Sequence, residues 1–228
     1  MKIFSRAELA AYLDHTLTRP DATAADVERL CAEARQHGFH GISVHGSRIE
    51  LAYARLEDST IKVTGLVAFP LGAADSDVKR YEVEAAIDHG ARAIEYVINL
   101  GRLKDGDHRY VLREMRDIAE AADERPVTVI LETHLLTHEE ILRACELALD
   151  SGVQAVATGT GVNSPAATAA EVQRLRAAVG PKFGVKATGG IEEAQTAIAL
   201  IEAGASRLGT SHGLAILDGI TGFLLASG

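Results

Sequence analysis

Short apolar runs alternate with amphipathic helical periods from one end of the chain to the other. The runs read as strands at Leu13–Leu17, Ile42–His45, Lys62–Ala68, Ala93–Ile98, Val127–Leu131, Ala155–Ala157, Gly184–Ala187 and Arg207–Gly209. Between them, Val27, Leu30, Cys31 and Ala34 fall at the i, i+3, i+4, i+7 spacing of one buried helix face. Ile141, Cys145, Leu147 and Leu149 mark a second such helix, and Ala197, Leu200 and Ile201 a third. Four helical periods end in a glycine, Gly38, Gly90, Gly152 and Gly204, each a few residues before a strand. Glycine suits that place because it takes the left-handed conformation without a Cβ penalty. Strand alternating with helix demands a parallel sheet, and eight such units in 228 residues match a small (β/α)₈ TIM barrel. A doubly wound open sheet is the competitor, but no G-x-G-x-x-G follows an early strand. No linker or composition shift divides the chain, so residues 1–228 are expected to form a single barrel domain.

Aromatics are 4% of the residues and tryptophan is absent, so such a barrel must be packed with Ala, Val, Ile and Leu. No apolar stretch approaches the roughly 20 residues of a membrane helix, and Met1 to Leu9 lacks the apolar run of a signal peptide. A cytoplasmic protein with no membrane partner is the expectation. The net charge is −9 and the basic residues are scattered, which gives no sequence-independent hold on nucleic acid. Cys31 and Cys145 have no C-x-x-C spacing; they read as packing thiols rather than a disulfide or a zinc knuckle.

A barrel of this kind builds its active site where strands end and βα loops begin. The polar residues there are Asp14 and His15, Ser43 and His45, Glu95 and Asn99, Glu132 and His134, Thr158 and Thr160, Lys186 and Thr188, and Ser211 and His212. Alternation along a strand predicts that Glu132 projects with His134, Ser43 with His45, and Glu95 with Asn99. Lys186 sits among apolar neighbours, where a lysine must be paired or neutral; Glu95 or Glu132 is the expected partner. Such a lysine suits acid work, electrostatic stabilisation or imine formation, or is half of a structural ion pair. Two glycine-bearing turns, Thr188-Gly189-Gly190 and Gly209-Thr210-Ser211-His212-Gly213, each lead into a helix and predict a phosphate or carboxylate site. His45, Glu95, Glu132 and His134 have the chemistry of metal ligands, but no H-E-x-x-H or C-x-x-C motif accompanies them. Neither metal nor cofactor is expected. His37, His40, His89, His108 and His138 read as helix, turn or surface residues without a role.

Six stretches in order carry a resemblance: Leu13-Asp14-His15-Thr16-Leu17, Val67-Ala68-Phe69-Pro70-Leu71-Gly72-Ala73, Tyr96-Val97-Ile98-Asn99-Leu100-Gly101, Leu131-Glu132-Thr133, Val185-Lys186-Ala187-Thr188-Gly189-Gly190-Ile191 and Arg207-Leu208-Gly209-Thr210-Ser211. With them the chain resembles the deoxyribose-phosphate aldolases over nearly its whole length. The resemblance implies a (β/α)₈ barrel and metal-free, reversible aldol cleavage of 2-deoxyribose 5-phosphate through a lysine imine. It places that lysine at the end of strand six, in a segment like F-I-K-T-S-T-G, where this chain reads Ala155-Val156-Ala157-Thr158-Gly159-Thr160-Gly161. Ala157 thus stands where the imine would form. The family's second lysine matches Lys186, its strand-four aspartate matches Glu95, and its strand-two cysteine matches Ser43. His134 replaces a small residue, and His212 a serine.

Departures gathered at strand ends suggest a divergent aldolase-like lyase acting on a small carbonyl compound, phosphorylated or not. Lys186, Glu95, Glu132, His134 and Asp14 are its expected catalytic residues, and His45, Thr158, Gly189, Gly190, Gly209, Ser211 and His212 its binding residues. One alternative moves the imine to Lys186; another keeps sugar-phosphate binding without catalysis. A homodimer is compatible with either.

Overall fold

The computed structural model describes residues 4–226. Eight parallel strands close into a barrel in sequence order, β8 pairing with β1. They are β1 (Leu13–Leu17), β2 (Gly41–His45), β3 (Lys62–Val67), β4 (Ala93–Val97), β5 (Val127–Ile130), β6 (Ala155–Ala157), β7 (Gly184–Thr188) and β8 (Arg207–Thr210). Each expected strand is present, with ends shifted by no more than a residue. The helices among the described residues are α1 (Arg6–Ala10), α2 (Ala24–His37), α3 (Ile49–Leu56), α4 (Ser76–Asp88), α5 (Leu100–Lys104), α6 (His108–Ala121), α7 (His138–Leu149), α8 (Ala169–Val179), α9 (Ala194–Glu202) and α10 (Gly213–Ala226). The short α1 and α5 are additions to one helix per strand. None of these helices is long and apolar enough to cross a membrane.

Helix starts are written locally. Thr23, Thr137 and Thr168 cap α2, α7 and α8, each in a reciprocal capping box with the acid three residues on. At the other ends, Gly38, Gly90, Gly152 and Gly204 all adopt positive φ, so the repeated glycine is a repeated helix exit. The α2 stripe Val27, Leu30, Cys31, Ala34 is buried as its spacing demands. On α7 the buried stripe is Ile141, Ala144, Cys145 and Ala148, with Leu147 beside it; Leu149 is 46% exposed, contrary to expectation. It is the last helical residue and falls off the edge of the stripe. Ile201 is only partly buried. Burial pushes the Cys31 thiol up to about 11 and Cys145 to about 12, as befits packing thiols.

Most of the core lies between the helices and the outward faces of the strands. Inside the bore, a separate apolar layer is formed by Val97, Ile130 and Ala157, with Phe69 packed on it. Polar residues occupy most of the rest of the bore. Behind β4, Lys79 of α4 and Glu114 of α6 face each other at 3.0 Å with both side chains fully buried. Lys79 also donates to the Val97 carbonyl at 2.9 Å, and Glu114 accepts the Asn99 N–H at 3.2 Å. This pair ties the C-terminal end of β4 to two helices.

Gly72 shows how tightly the βα loops seat. Its φ is 66°, and a Cβ there would lie 2.3 Å from the Ile98 carbonyl oxygen. Gly106 has a similar φ of 74° but open space around it. Gly106→Ala is expected to cost about 1–2 kcal/mol, the left-handed backbone alone. Gly72→Ala is expected to cost more, because the backbone must also move; denaturant unfolding of the two variants checks the order.

Candidate active site

Two inward carboxylates converge on one inward cation. Lys186 of β7 is 2% exposed and donates to Asp14 Oδ2 of β1 at 2.7 Å and to Glu95 Oε1 of β4. Asp14 Oδ1 lies 2.8 Å from His40 Nδ1, and Ser43 Oγ lies 3.5 Å from Glu95 Oε1. Burial by itself would lower the pKa of Lys186, but the Asp14 and Glu95 carboxylates outweigh it and hold the ammonium above its ordinary 10.5. Burial would raise that of Asp14; Lys186 and His40 outweigh it and hold the carboxyl well below its ordinary 3.8. The lysine is therefore cationic and the aspartate ionised.

Glycine is required beside them. Gly209 lies within β8, not in the turn that follows, and a Cβ there would sit 2.9 Å from Lys186 Cε and 3.1 Å from Thr188 Oγ1. Its missing side chain makes room for the lysine.

Glu132 is not the partner of Lys186. Strand β5 ends at Ile130, and Glu132 adopts φ 51° ahead of a 3₁₀ turn over Thr133–Leu135. Its carboxylate accepts the Thr160 N–H and lies 3.3 Å from His134 Nδ1. The expected Glu132–His134 meeting occurs, through a turn and not through strand alternation. Glu95 and Asn99 do not share a face: Asn99 leaves the sheet to cap α5, accepting the Arg102 N–H at 3.1 Å. His15 points out of the barrel, 2.8 Å from Glu33 Oε2 on α2. His45 Nε2 lies 2.9 Å from the Thr18 carbonyl, with its ring edge-on to Phe69.

At the C-terminal mouth, Gly189, Gly190, Gly209, Ser211 and His212 border a cavity of about 180 Å³, together with Thr160, Gly161 and Thr188. Gly161, Gly189 and Gly190 have φ of 74°, 103° and 63°. Neither the Gly161 nor the Gly190 N–H donates to another described residue, and the buried Thr188 hydroxyl has no partner among them. Unmet donors around a concavity suit an anion. Thr158 is spoken for: its hydroxyl donates to the Thr188 carbonyl at 3.1 Å and accepts the Thr188 N–H at 3.0 Å. Among the described residues no three His, Cys, Asp or Glu side chains are grouped to hold a metal ion.

Sequence reasoning missed His40. It precedes β2 at the N-terminal end of the barrel, where the rule that sites lie at strand C-termini gives no signal. It also missed the Gly161 turn as part of the anion pocket, although Thr160-Gly161 follows a strand as the other two turns do.

Comparison with known proteins gives the class. A family model described as DeoC/LacD family aldolase matches residues 9–219, which makes this a TIM-barrel lyase. A deoxyribose-phosphate aldolase of Thermococcus gammatolerans is 44% identical over 216 residues, 93% of this chain and 96% of that one. One from Clostridium perfringens strain SM101 is 42% identical over 94% of this chain and 96% of its own. A crystal structure described as a putative deoxyribose-phosphate aldolase from Coccidioides immitis superposes with a TM-score of 0.92 at 31% identity, over 96% of this chain and 87% of that one. A tetrameric deoxyribose phosphate aldolase from Aeropyrum pernix gives 0.90 at 30%, over 96% and 93%. The chain belongs to the deoxyribose-phosphate aldolase family.

Proposed function

We propose that the protein catalyses aldol and retro-aldol chemistry on a small, phosphorylated carbonyl compound through an enolate, without an imine on β6. The observation that carries this reading is the state of Lys186, a buried ammonium fixed by two carboxylates. An amine must be neutral to attack a carbonyl, whereas a fixed cation lowers the energy of an enolate. Ala157, its register partner on β6, offers only a methyl group to the bore. The deoxyribose-phosphate aldolase relatives support a sugar phosphate as substrate, and the glycine-lined cavity at the mouth supports a place for the phosphate.

In this mechanism the Glu132–His134 pair takes the proton of the β-hydroxyl. The carbon–carbon bond breaks, its electrons pass into the carbonyl to form the enolate under Lys186, and the proton returns to the enolate carbon. Asp14 and Glu95 hold Lys186 in place and ionised. Gly189, Gly190, Ser211 and His212 receive the phosphate.

Borohydride trapping with 2-deoxyribose 5-phosphate and a panel of small aldehydes and ketoses, read by peptide mass mapping, tests the reading. Turnover without a trapped adduct is expected, and a His134→Ala loss of about 10²–10⁴ in kcat. An adduct on Lys186 would instead establish a relocated imine. No turnover on any substrate, with phosphate esters still raising the Tm, would leave a binding protein.

A further inference from the structure

Beneath Lys186, Asp14 and Glu95, at the end of the barrel opposite the glycine-lined mouth, the bore is hollow. Side chains of the first inward position on each strand should meet there, and TIM barrels usually fill their bores with bulky layers. In this chain three of those positions are Ala93, Ala155 and Gly184, and a cavity of about 370 Å³ opens at the strand N-termini as a result. Register fixes what else faces it. Lys62 pairs with Gly41 and Arg207 with Lys186, so both point into the bore from the first residues of β3 and β8. Lys182 and Arg176 border the same space.

These four cations have no carboxylate partner among the described residues. Arg207 donates to the Ser206 carbonyl, and Arg176 to the carbonyls of Gly180, Phe183 and Gly204. The Lys62 and Lys182 ammonium groups make no hydrogen bond or ion pair with any described residue. The carboxylates that do reach the cavity, Asp14 and Glu95, are engaged by Lys186, and Asp14 by His40 as well. A chain of net charge −9 therefore gathers unbalanced positive charge in one concavity. Like charges around a low-dielectric hollow repel, and the field they focus draws in counter-ions. Arginine and lysine together are the usual phosphate-binding pair.

We propose that this N-terminal cavity is a second anion site, taking a phosphate-class polyanion independently of the glycine-lined pocket at the other end. His40, Asp14, Glu95 and Lys186 line it as well, so an anion bound there sits beside the carboxylates that hold Lys186.

Inorganic pyrophosphate is the probe, titrated calorimetrically into the full chain. Two binding events are expected. Lys62→Gln/Arg207→Gln should remove one of them or weaken it at least tenfold. It should melt no lower than the wild type in the absence of anion, because it relieves repulsion and breaks no ion pair. Ser211→Asp, which places a carboxylate in the other pocket, should spare that event. Pyrophosphate should also shield Lys62 and Lys182 of the wild-type protein from acylation, read by peptide mass, and shift the His40 ring resonances. Binding that is unchanged in the Lys62/Arg207 variant, binding wholly lost in Ser211→Asp, or absence of shielding would each overturn the proposal.

Discussion

Lys186→Met is expected to lower kcat/KM by about 10²–10³, the loss typical when a fixed electrostatic stabiliser is removed. It is also expected to destabilise the fold by about 3–5 kcal/mol at neutral pH, because it leaves two buried carboxylates facing each other without a cation. The pH dependence separates this cause from simple loss of packing. In the wild type, Asp14 lies below its ordinary 3.8, so its contribution is present above 3.8 and lost only as pH falls through the depressed value. Lys186 lies above its ordinary 10.5, so its contribution is complete below 10.5 and lost as pH rises through the elevated value. Between those limits the contributions of Asp14 and Lys186 are constant. In the variant a carboxylate without its cation takes up a proton more readily, so the stability gap should narrow as pH falls from about 8 to about 5. Denaturant unfolding at three pH values, beside steady-state rates, measures both effects. A pH-independent gap would mean the loss is one of packing, and unchanged kcat/KM would remove Lys186 from the chemistry.

The Lys79–Glu114 pair should behave in the opposite sense. Burial pushes Glu114 above its ordinary 4.5 even though Lys79 opposes the shift, and pushes Lys79 below its ordinary 10.5 even though Glu114 opposes it. For each group, desolvation outweighs the attraction between them. The contribution of Glu114 to stability thus falls as pH rises from 4.5 through its elevated value, and that of Lys79 falls as pH drops from 10.5 through its lowered one. Both directions say that the ionised pair costs stability at neutral pH. Glu114→Leu alone should destabilise by about 3–5 kcal/mol by stranding a buried ammonium, and Lys79→Met by a similar amount. The double variant should return to wild-type stability or exceed it by about 1–4 kcal/mol, since two apolar side chains need no compensation. A double variant as unstable as the sum of the singles would show that the pair is a net stabiliser.

The barrel was legible because its determinants are local: apolar runs of strand length, a period of 3.6 between them, and a glycine at four of the helix exits. The anion pocket was partly legible for the same reason, since glycine turns are contiguous in sequence. The partners of Lys186 were only half legible. Glu95 follows from strand alternation, but Asp14 lies 172 residues away and is brought close by barrel closure. Glu132 looked equivalent to Glu95 as a carboxylate at a strand end; its positive φ turns it away to Thr160 and His134. His40 and the Lys79–Glu114 pair lie where no motif points, one below the bore and the other behind it.

Gly209 and Lys186 divide one volume between them. The lysine side chain runs through the space that any other residue at 209 would fill, so the two positions act as a single large residue shared by neighbouring strands. Enlarging position 209 amounts to evicting the ammonium from its carboxylates. A chain that shortened Lys186 would remove the nearer obstacle to a side chain at 209, leaving Thr188 as the other. The identity of one residue is thus set by the reach of another, and the two can change only in step.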